Sequence, residues 1–230
     1  MPQDSRPIVI AIDGPAAAGK STVARGIAGR LGFTYIDSGA MYRALALWAL
    51  RENLDLSDRH RMEELAKAAE IELEPRSGRV LLNGEDVTEA IRGREASEAA
   101  SRVAAVAGVR RAMVEKQREI GRRTSVVMEG RDIGTVVFPE ADVKIYLDAE
   151  AAERVRRRLA EVAGDGLDEA GVAGALRTRD ERDRTRAESP LAQAPDAVYL
   201  DSTHRSAAEM EEVILRLVRE RLTNGKEFRV

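Results

Sequence analysis

A glycine-rich segment at residues 14–22 constrains the fold of this chain more than any other stretch of the sequence. It reads Gly-Pro-Ala-Ala-Ala-Gly-Lys-Ser-Thr and matches the pattern G-x-x-x-x-G-K-S/T. A β-branched run at 8–12 precedes it and a helical pattern follows it. In this context the glycines let backbone N–H groups and the helix N-terminus face an anion. We therefore expect a strand, a phosphate-binding loop and a helix.

Individual positions in this loop have separate expected roles. Lys20 is expected to reach the β- and γ-phosphates of a nucleoside triphosphate, and the Ser21 hydroxyl to ligate Mg²⁺. The residues expected to bind the nucleotide are Gly14, Pro15, Ala16, Ala17, Ala18, Gly19, Lys20, Ser21 and Thr22. None of Asn53, Asn83 and Asn224 begins the N-K-x-D pattern of guanine-specific sites, so ATP is the expected donor.

Strand and helix patterns alternate along the chain, which indicates an α/β fold. Short β-branched runs predict strands at 8–12, 34–37, 125–128, 143–147 and 197–200, and apolar periodicity predicts helices at 19–31 and 40–53. Ser206 and Glu209 form a capping-box pattern that opens a last helix. These elements predict a sheet of about five parallel strands.

Two segments interrupt the alternation. Between residues 71 and 87, short alternating stretches separated by Ser77-Gly78 and Asn83-Gly84 predict a small antiparallel unit inserted into the fold. Residues 150–188 are rich in Arg, have a helical pattern and contain several glycines, which favours a mobile flap.

Composition excludes several classes of protein. The 37 basic and 40 acidic residues give a net charge of −3, so any anion site must be local, and 3% aromatic content leaves few rings for stacking on nucleic acid. The absence of Cys excludes disulfides and thiolate nucleophiles and favours the cytoplasm. Residues 1–6 lack an apolar signal core, and the apolar run at 44–50 is too short to cross a bilayer. We expect a monomer with no nucleic-acid or membrane partner.

Three Arg-containing clusters predict a second anion site. They lie at 37–43, 129–132 and 177–186, and the first two follow predicted strand ends, where open parallel sheets bind ligands. Phosphoryl transfer between two anions needs cations on the acceptor phosphate as well as on the donor. The pattern therefore predicts a kinase whose acceptor is a small phosphorylated molecule.

Five collinear stretches share a pattern with one enzyme family. They are I-D-G-P-A-A-A-G-K-S-T at 12–22, D-S-G-A-M-Y-R at 37–43, E-G-R-D-I-G-T-V-V-F-P at 129–139, K-I-Y-L-D-A at 144–149 and R-D-E-R-D-R-T-R at 179–186. Together they resemble the bacterial cytidylate kinases, nucleoside monophosphate kinases with a P-loop, nearly from end to end. The unit at 71–87 is similar to the enlarged monophosphate-binding lobe of that family.

The resemblance implies a fold and a division into domains. The fold would be α/β, a P-loop doubly wound parallel sheet with an inserted monophosphate-binding lobe and a helical lid. The core would comprise 1–37, 111–149 and 189–230, the lobe 38–110 and the lid 150–188.

The resemblance also implies an activity, the transfer of the γ-phosphoryl group of ATP to CMP or dCMP, and roles for individual residues. Ser38, Tyr42 and Arg43 would line the monophosphate site; Arg43, Arg131 and Arg186 would hold the acceptor phosphate; Ser101, Arg110 and Asp132 would read cytosine; Arg179 and Asp183 would meet the sugar. The catalytic residues would be Lys20, Arg131 and Arg186. A carboxylate at 132 accepts from the exocyclic amine of cytosine but faces a carbonyl in uracil, which predicts CMP over UMP.

Some of these residues have structural alternatives. Tyr42 and Arg43 would otherwise lie on an exposed helical turn, and Arg131 would otherwise form a structural ion pair with the adjacent Asp132. Ser101 and Arg110 lie in helical segments with weak local motifs. The run Arg154, Arg156, Arg157 and Arg158 fits a solvated helix face as well as a lid over ATP, with Arg157 as the expected lid contact.

Other functional groups are assigned more simply. Either Glu129 or Asp13 is expected to orient the hydration shell of Mg²⁺. His60 and His204 lie in polar segments and receive no catalytic role. A phosphate acceptor is already nucleophilic near neutral pH, so no general base is expected.

Two rival functions remain open from the residues themselves. One is a P-loop kinase for another acceptor, such as UMP, AMP or a small hydroxylated metabolite. The other is a regulatory module that binds ATP without transferring phosphate, although such a module has no need of three acceptor-side Arg clusters.

Overall fold

The structure is a computed structural model that describes residues 6–74, 78–161 and 168–227, with side chains described up to residue 223. The predicted turn residue Ser77 and residues 162–167 of the predicted lid, including Gly164 and Gly166, lie outside the described residues. The same holds for residues 1–5 and 228–230 of the predicted core.

The described residues form eight strands and eight α-helices, numbered in chain order. The strands are β1 (Val9–Asp13), β2 (Thr34–Asp37), β3 (Ile71–Glu74), β4 (Arg79–Leu82), β5 (Glu85–Asp86), β6 (Val126–Gly130), β7 (Val143–Asp148) and β8 (Val198–Asp201). The helices are α1 (Lys20–Leu31), α2 (Ser38–Arg51), α3 (Arg59–Ala68), α4 (Arg94–Val103), α5 (Ala107–Arg123), α6 (Ala151–Glu161), α7 (Glu169–Thr185) and α8 (Ala207–Glu227). A 3₁₀ turn (Ala90–Arg92) precedes α4, and a π-helical turn (Ile133–Val137) follows β6.

The main sheet has five parallel strands in the order β2-β6-β1-β7-β8, which confirms the predicted α/β fold. Its register aligns Asp13 with Gly130, and Asp37 with Glu129. The strands β1, β2 and β6 therefore end at one edge of the sheet, and the segments that follow them meet there. This is the edge at which the sequence predicts ligand binding.

Helix boundaries follow local capping. Helix α2 begins at Ser38, two residues before the predicted start at 40, because the Asp37 carboxylate accepts a hydrogen bond from the Ala40 N–H at 3.0 Å. The predicted capping box of α8 is confirmed: Glu209 Oε2 accepts from the Ser206 N–H at 2.8 Å, and Ser206 Oγ accepts from the Glu209 N–H at 3.3 Å.

The hydrophobic interior consists of separate clusters. One face of the sheet packs Ile10 and Ile12 against α1 and α8, and the other packs Ala11 and Met128 against α5. A further cluster, in which Met41 is fully buried, joins α2, α3, α4 and α5 to the antiparallel sheet β3-β4-β5. Each fully buried Ile or Met side chain contributes about 1.5–3 kcal/mol relative to exposure. The predicted antiparallel unit at 71–87 is thus present, and its buried apolar residues pack against these helices.

Within the described ranges, no helix has the length and apolar character needed to cross a membrane.

Candidate active site

The segment between β1 and α1 forms a tight loop, as its glycines predict. Gly14 has φ +148° and Gly19 has φ +87°, and Ala17 also lies at positive φ, +60°. A Cβ at Gly14 would lie 1.9 Å from the carbonyl oxygen of Leu147 in β7. Only glycine fits this approach, because a side chain at position 14 would collide with the backbone of β7.

Lys20 is buried at the start of α1, and its Nζ donates to the carbonyl oxygen of Pro15 at 2.6 Å. Burial and, next, the nearby charge of Arg131 together lower the pKa of Lys20 to about 7, while Glu129 opposes the shift. Phosphate oxygens in this position would favour the charged form. Binding of an anion in the loop would therefore raise the pKa of Lys20.

Glu129 and Ser21 supply hard oxygen atoms beside the loop. Glu129 is buried, accepts a hydrogen bond from Tyr35 Oη at 2.7 Å, and has the Ser21 hydroxyl within hydrogen-bonding reach. Burial raises the pKa of Glu129, as does the charge of Asp37. Mg²⁺ in phosphoryl-transfer sites keeps several waters and takes few protein ligands. This donor set fits such an ion, and among the described residues no cluster of three or more acidic, His or Cys side chains forms a separate metal site.

A cleft of about 400 Å³ faces the loop. Its walls include all ten residues predicted to bind the acceptor, and these are Ser38, Tyr42, Arg43, Ser101, Arg110, Arg131, Asp132, Arg179, Asp183 and Arg186. Ala16, Ala17, Gly19, Lys20, Ser21 and Thr22 line the same cleft, whereas Gly14, Pro15 and Ala18 are not on its wall. The structure therefore brings the predicted donor and acceptor residues into one space.

The β2–α2 junction contributes three of these residues. Ser38 Oγ donates to the carbonyl oxygen of Glu129 at 2.6 Å, and Arg43 Nη2 donates to Asp37 Oδ2 at 2.7 Å. Tyr42 is buried, with the Arg110 guanidinium 5.4 Å from its ring centroid. Tyr42 and Arg43 do not lie on an exposed helical turn, which removes that structural alternative.

The acceptor side contains a buried network of ion pairs. Arg110 pairs with Asp132, and Arg186 Nη2 lies 3.8 Å from the other oxygen of Asp132. Arg131 Nε donates to Asp183 Oδ2 at 2.9 Å. Arg131 therefore does not form the structural ion pair with the adjacent Asp132 that was its alternative role, because the two residues have different partners.

Cationic groups exceed carboxylates in this cleft. Seven arginines and Lys20 face five carboxylates. The arginines are at 43, 92, 110, 131, 158, 179 and 186, and the carboxylates are Asp37, Glu129, Asp132, Glu161 and Asp183. Burial lowers the pKa of Arg179 to about 10, with a further contribution from the charge of Arg131. Among the described residues, Arg179 Nε and Arg186 Nη2 are buried donors without a hydrogen-bond partner. Unpaired buried donors and excess positive charge both favour an anionic ligand.

The four arginines at the start of the predicted lid, at positions 154 and 156–158, lie in different environments. Arg157 donates to the carbonyl oxygen of Ser202 at 2.6 Å, next to Gly19 but not on the cleft wall, so its contact with ATP stays a prediction. Arg158 lines the cleft. Arg154 pairs with Asp180 at 2.5 Å, and Arg156 is an exposed partner of Glu153. Only Arg156 fits the solvated helix face.

Sequence reasoning missed Arg182. Its Nη1 donates to Ser101 Oγ at 2.7 Å, so a residue of α7 touches a residue predicted to read the acceptor base. Arg182 lies inside the R-D-E-R-D-R-T-R stretch, which is the signal that would have found it. His60 and His204 are exposed and lie outside the cleft.

Comparison with known proteins identifies a family. The family model described as cytidylate kinase matches residues 10–220. A cytidylate kinase of Solibacter usitatus is 64% identical over 225 residues, covering 96% of each chain. A cytidylate kinase of Symbiobacterium thermophilum is 48% identical over 221 residues, covering 94% of this chain and 98% of its own.

A solved structure shares the fold. The crystal structure of an uncharacterized protein from Eubacterium ventriosum superposes with a TM-score of 0.53 at 11% identity, over 92% of this chain and 98% of that one. At this identity the likeness shows the fold alone.

Proposed function

This chain belongs to the cytidylate kinase family, and from that premise we propose that it transfers the γ-phosphoryl group of ATP to CMP or dCMP, giving ADP and CDP or dCDP. The observation that carries the proposal is the single cleft in which the ten acceptor residues face the phosphate-binding loop. Membership of this kinase family implies that ATP is the phosphoryl donor.

The donor would bind at residues 14–22. Backbone N–H groups of the loop and the charged form of Lys20 would hold the β- and γ-phosphates, and Ser21 with Glu129 would hold hydrated Mg²⁺. Bound Mg²⁺ would neutralise charge on the donor phosphates. Arg157 would contact the nucleotide when the proposed lid, residues 150–188, closes over it.

The acceptor phosphate would lie between Arg43, Arg131 and Arg186. Each of these three guanidinium groups forms an ion pair with an aspartate in the structure. The acceptor phosphate would compete with those carboxylates for the same N–H donors. Guanidinium groups match phosphate oxygens in pairs, which orients the acceptor oxygen toward the donor. Positioning and charge neutralisation supply the rate, and no proton acceptor is required before attack.

The base would be read by Ser101, Arg110 and Asp132, and the sugar would meet Arg179 and Asp183. Asp132 is held from two sides by Arg110 and Arg186, which fixes the direction of its carboxylate. That carboxylate would accept from the cytosine amine and would repel the carbonyl oxygen of uracil. Closure of the proposed lobe (38–110) and lid (150–188) over the core would exclude water from the transfer.

We also propose that the enzyme acts as a monomer in the cytoplasm. The absence of Cys suits a reducing compartment. The large apolar side chains of the described surface are covered, with Tyr199, 52% exposed, as the exception, which suits a chain that works alone.

The test is release of ADP with a panel of acceptors, CMP, dCMP, UMP and AMP, at fixed Mg²⁺ and ATP. We expect turnover with CMP and dCMP, weaker turnover with UMP and the least with AMP. The variant Lys20→Ala should lose turnover with every acceptor by about a hundred- to a thousandfold, because it removes a cation from the transferred phosphoryl group. Strong activity with AMP and none with CMP would overturn the proposal, and tight ATP binding without CMP-dependent turnover would favour a regulatory module.

A further inference from the structure

Asp13 joins the donor side of the site to the acceptor side. It is the last residue of β1, directly before Gly14, and is 4% exposed. Its Oδ1 accepts from the Ile133 N–H at 2.8 Å, and its Oδ2 accepts from the Gly134 N–H at 2.7 Å. These two N–H groups belong to the residues that directly follow Asp132.

The turn that carries Asp132 depends on this contact. In the π-helical turn Ile133–Val137, the Val137 N–H bonds back to the carbonyl oxygen of Asp132 at 3.1 Å. The first N–H groups of a helical turn have no acceptor within the turn itself, and a buried N–H without an acceptor is costly. The Asp13 carboxylate supplies acceptors to two of them, so it fixes where the turn begins and thereby where the backbone of Asp132 lies.

The packing around this contact leaves little freedom. A Cβ at Gly134 would lie 3.4 Å from Asp13 Oδ2 and 3.2 Å from Lys144 Cδ. A methyl group at position 134 would therefore touch the carboxylate and crowd the Lys144 side chain. Glu129, by contrast, has Ser21 within hydrogen-bonding reach, so of the two carboxylates it is the one beside the expected metal ligand.

We propose that Asp13 is a positioning residue that sets the base-reading carboxylate of Asp132 relative to the phosphate-binding loop, and that it does not orient the hydration shell of Mg²⁺. This inference rests on the proposed function, since it concerns how the acceptor base is recognised. Both oxygens of Asp13 are engaged by the same turn, and that turn is continuous with the acceptor cleft. Its role is therefore in acceptor binding and base preference.

The test is CMP binding in EDTA without ATP, measured by calorimetry on wild type and on Asp13→Asn. The amide of Asn turns one acceptor into a donor that faces an N–H group, which displaces the turn. We expect CMP to bind about tenfold more weakly or worse, because displacement of the turn moves the carboxylate of Asp132 away from the base. The ratio of kcat/KM for CMP over UMP should fall, while the Mg²⁺ concentration for half-maximal turnover stays at its wild-type value.

Two further variants make the result decisive. Glu129→Gln is the matched control, and we expect it to raise the Mg²⁺ requirement while CMP affinity in EDTA stays near wild type. Gly134→Ala crowds the buried Lys144 side chain, which Pro139 and Asp196 hold in place, so the turn should shift and the loss of CMP affinity should be reproduced even if Asp13→Asn folds poorly. Unchanged CMP affinity in EDTA in both Asp13→Asn and Gly134→Ala would overturn the inference, as would a raised Mg²⁺ requirement in Asp13→Asn. Failure of wild type to phosphorylate CMP would instead overturn the proposed function.

Discussion

Arg182 Nη1 donates to Ser101 Oγ over 2.7 Å and thereby joins α7 to α4. Helix α4 lies in the proposed lobe and α7 in the proposed lid, so this hydrogen bond connects the two segments that are expected to move. Ser101 is also proposed to read the acceptor base. Base recognition and the position of α7 are therefore linked through one hydroxyl group.

We expect Arg182→Ala to raise the KM for CMP about three- to tenfold, the value of one hydrogen bond, with a smaller change in the KM for ATP. Steady-state kinetics with each substrate varied in turn measures both constants. Arg184→Ala is the matched control, because Arg184 is two residues away and exposed. Equal changes in the two KM values, or the same effect from Arg184→Ala, would contradict a link to base recognition.

The variants Asp132→Ala and Asp132→Asn should weaken the preference for CMP over UMP, because the acceptor for the cytosine amine is removed. The Ala variant should also lose about 3–5 kcal/mol of stability, since it leaves Arg110 buried without its partner. Competition kinetics with CMP and UMP measures the preference, and denaturant unfolding measures the stability. A preference equal to that of wild type in a folded variant would show that another residue reads the base.

Lys20 should make ATP binding depend on pH. With a pKa of about 7, its neutral form becomes dominant as the pH rises above that value. Phosphates favour the charged form, so ATP binding should take up a proton and weaken as pH rises from 6.5 to 8.5. Calorimetry in buffers of different ionisation enthalpy measures the uptake, and Lys20→Met provides the background from ATP itself. Equal proton uptake in the two proteins would refute the assignment.

Two glycine-to-alanine variants should change stability in opposite directions. Gly14→Ala places a methyl group on a backbone oxygen of β7 at positive φ, and we expect a loss of about 2–5 kcal/mol. Gly29→Ala lies in α1 with no atom within 4 Å of the added methyl, and should gain up to about 1 kcal/mol from helix propensity. Thermal melting compares them, and similar melting temperatures would mean that the loop tolerates more movement than its contacts indicate.

The sequence was sufficient to predict features that depend on neighbouring residues. The loop at 14–22 and the capping box at Ser206 are short-range patterns whose chemistry does not depend on the rest of the fold. The five parallel strands followed from apolar runs between helical segments. Strand and helix ends shifted by one or two residues, as at α2, where the side chain of Asp37 rather than apolar periodicity determines the start.

Partnerships between distant residues could not be predicted in the same way. Arg131 lies next to Asp132 in the sequence but pairs with Asp183, 52 positions away, because α7 crosses the end of β6. Asp13 meets the turn that begins 120 positions later, which no local pattern contains. The family resemblance identified the residues of the proposed site. Only the three-dimensional packing shows which of them form hydrogen bonds and ion pairs with one another.

Helix α5 contributes side chains to two separate hydrophobic clusters. Met113 packs into the cluster around Met41, whereas its neighbour Val114 packs under the sheet beside Met128. The acceptor side can therefore loosen as a cooperative unit of its own while α5 remains anchored to the strands. We therefore expect amide hydrogen exchange to give separate opening free energies for the two clusters.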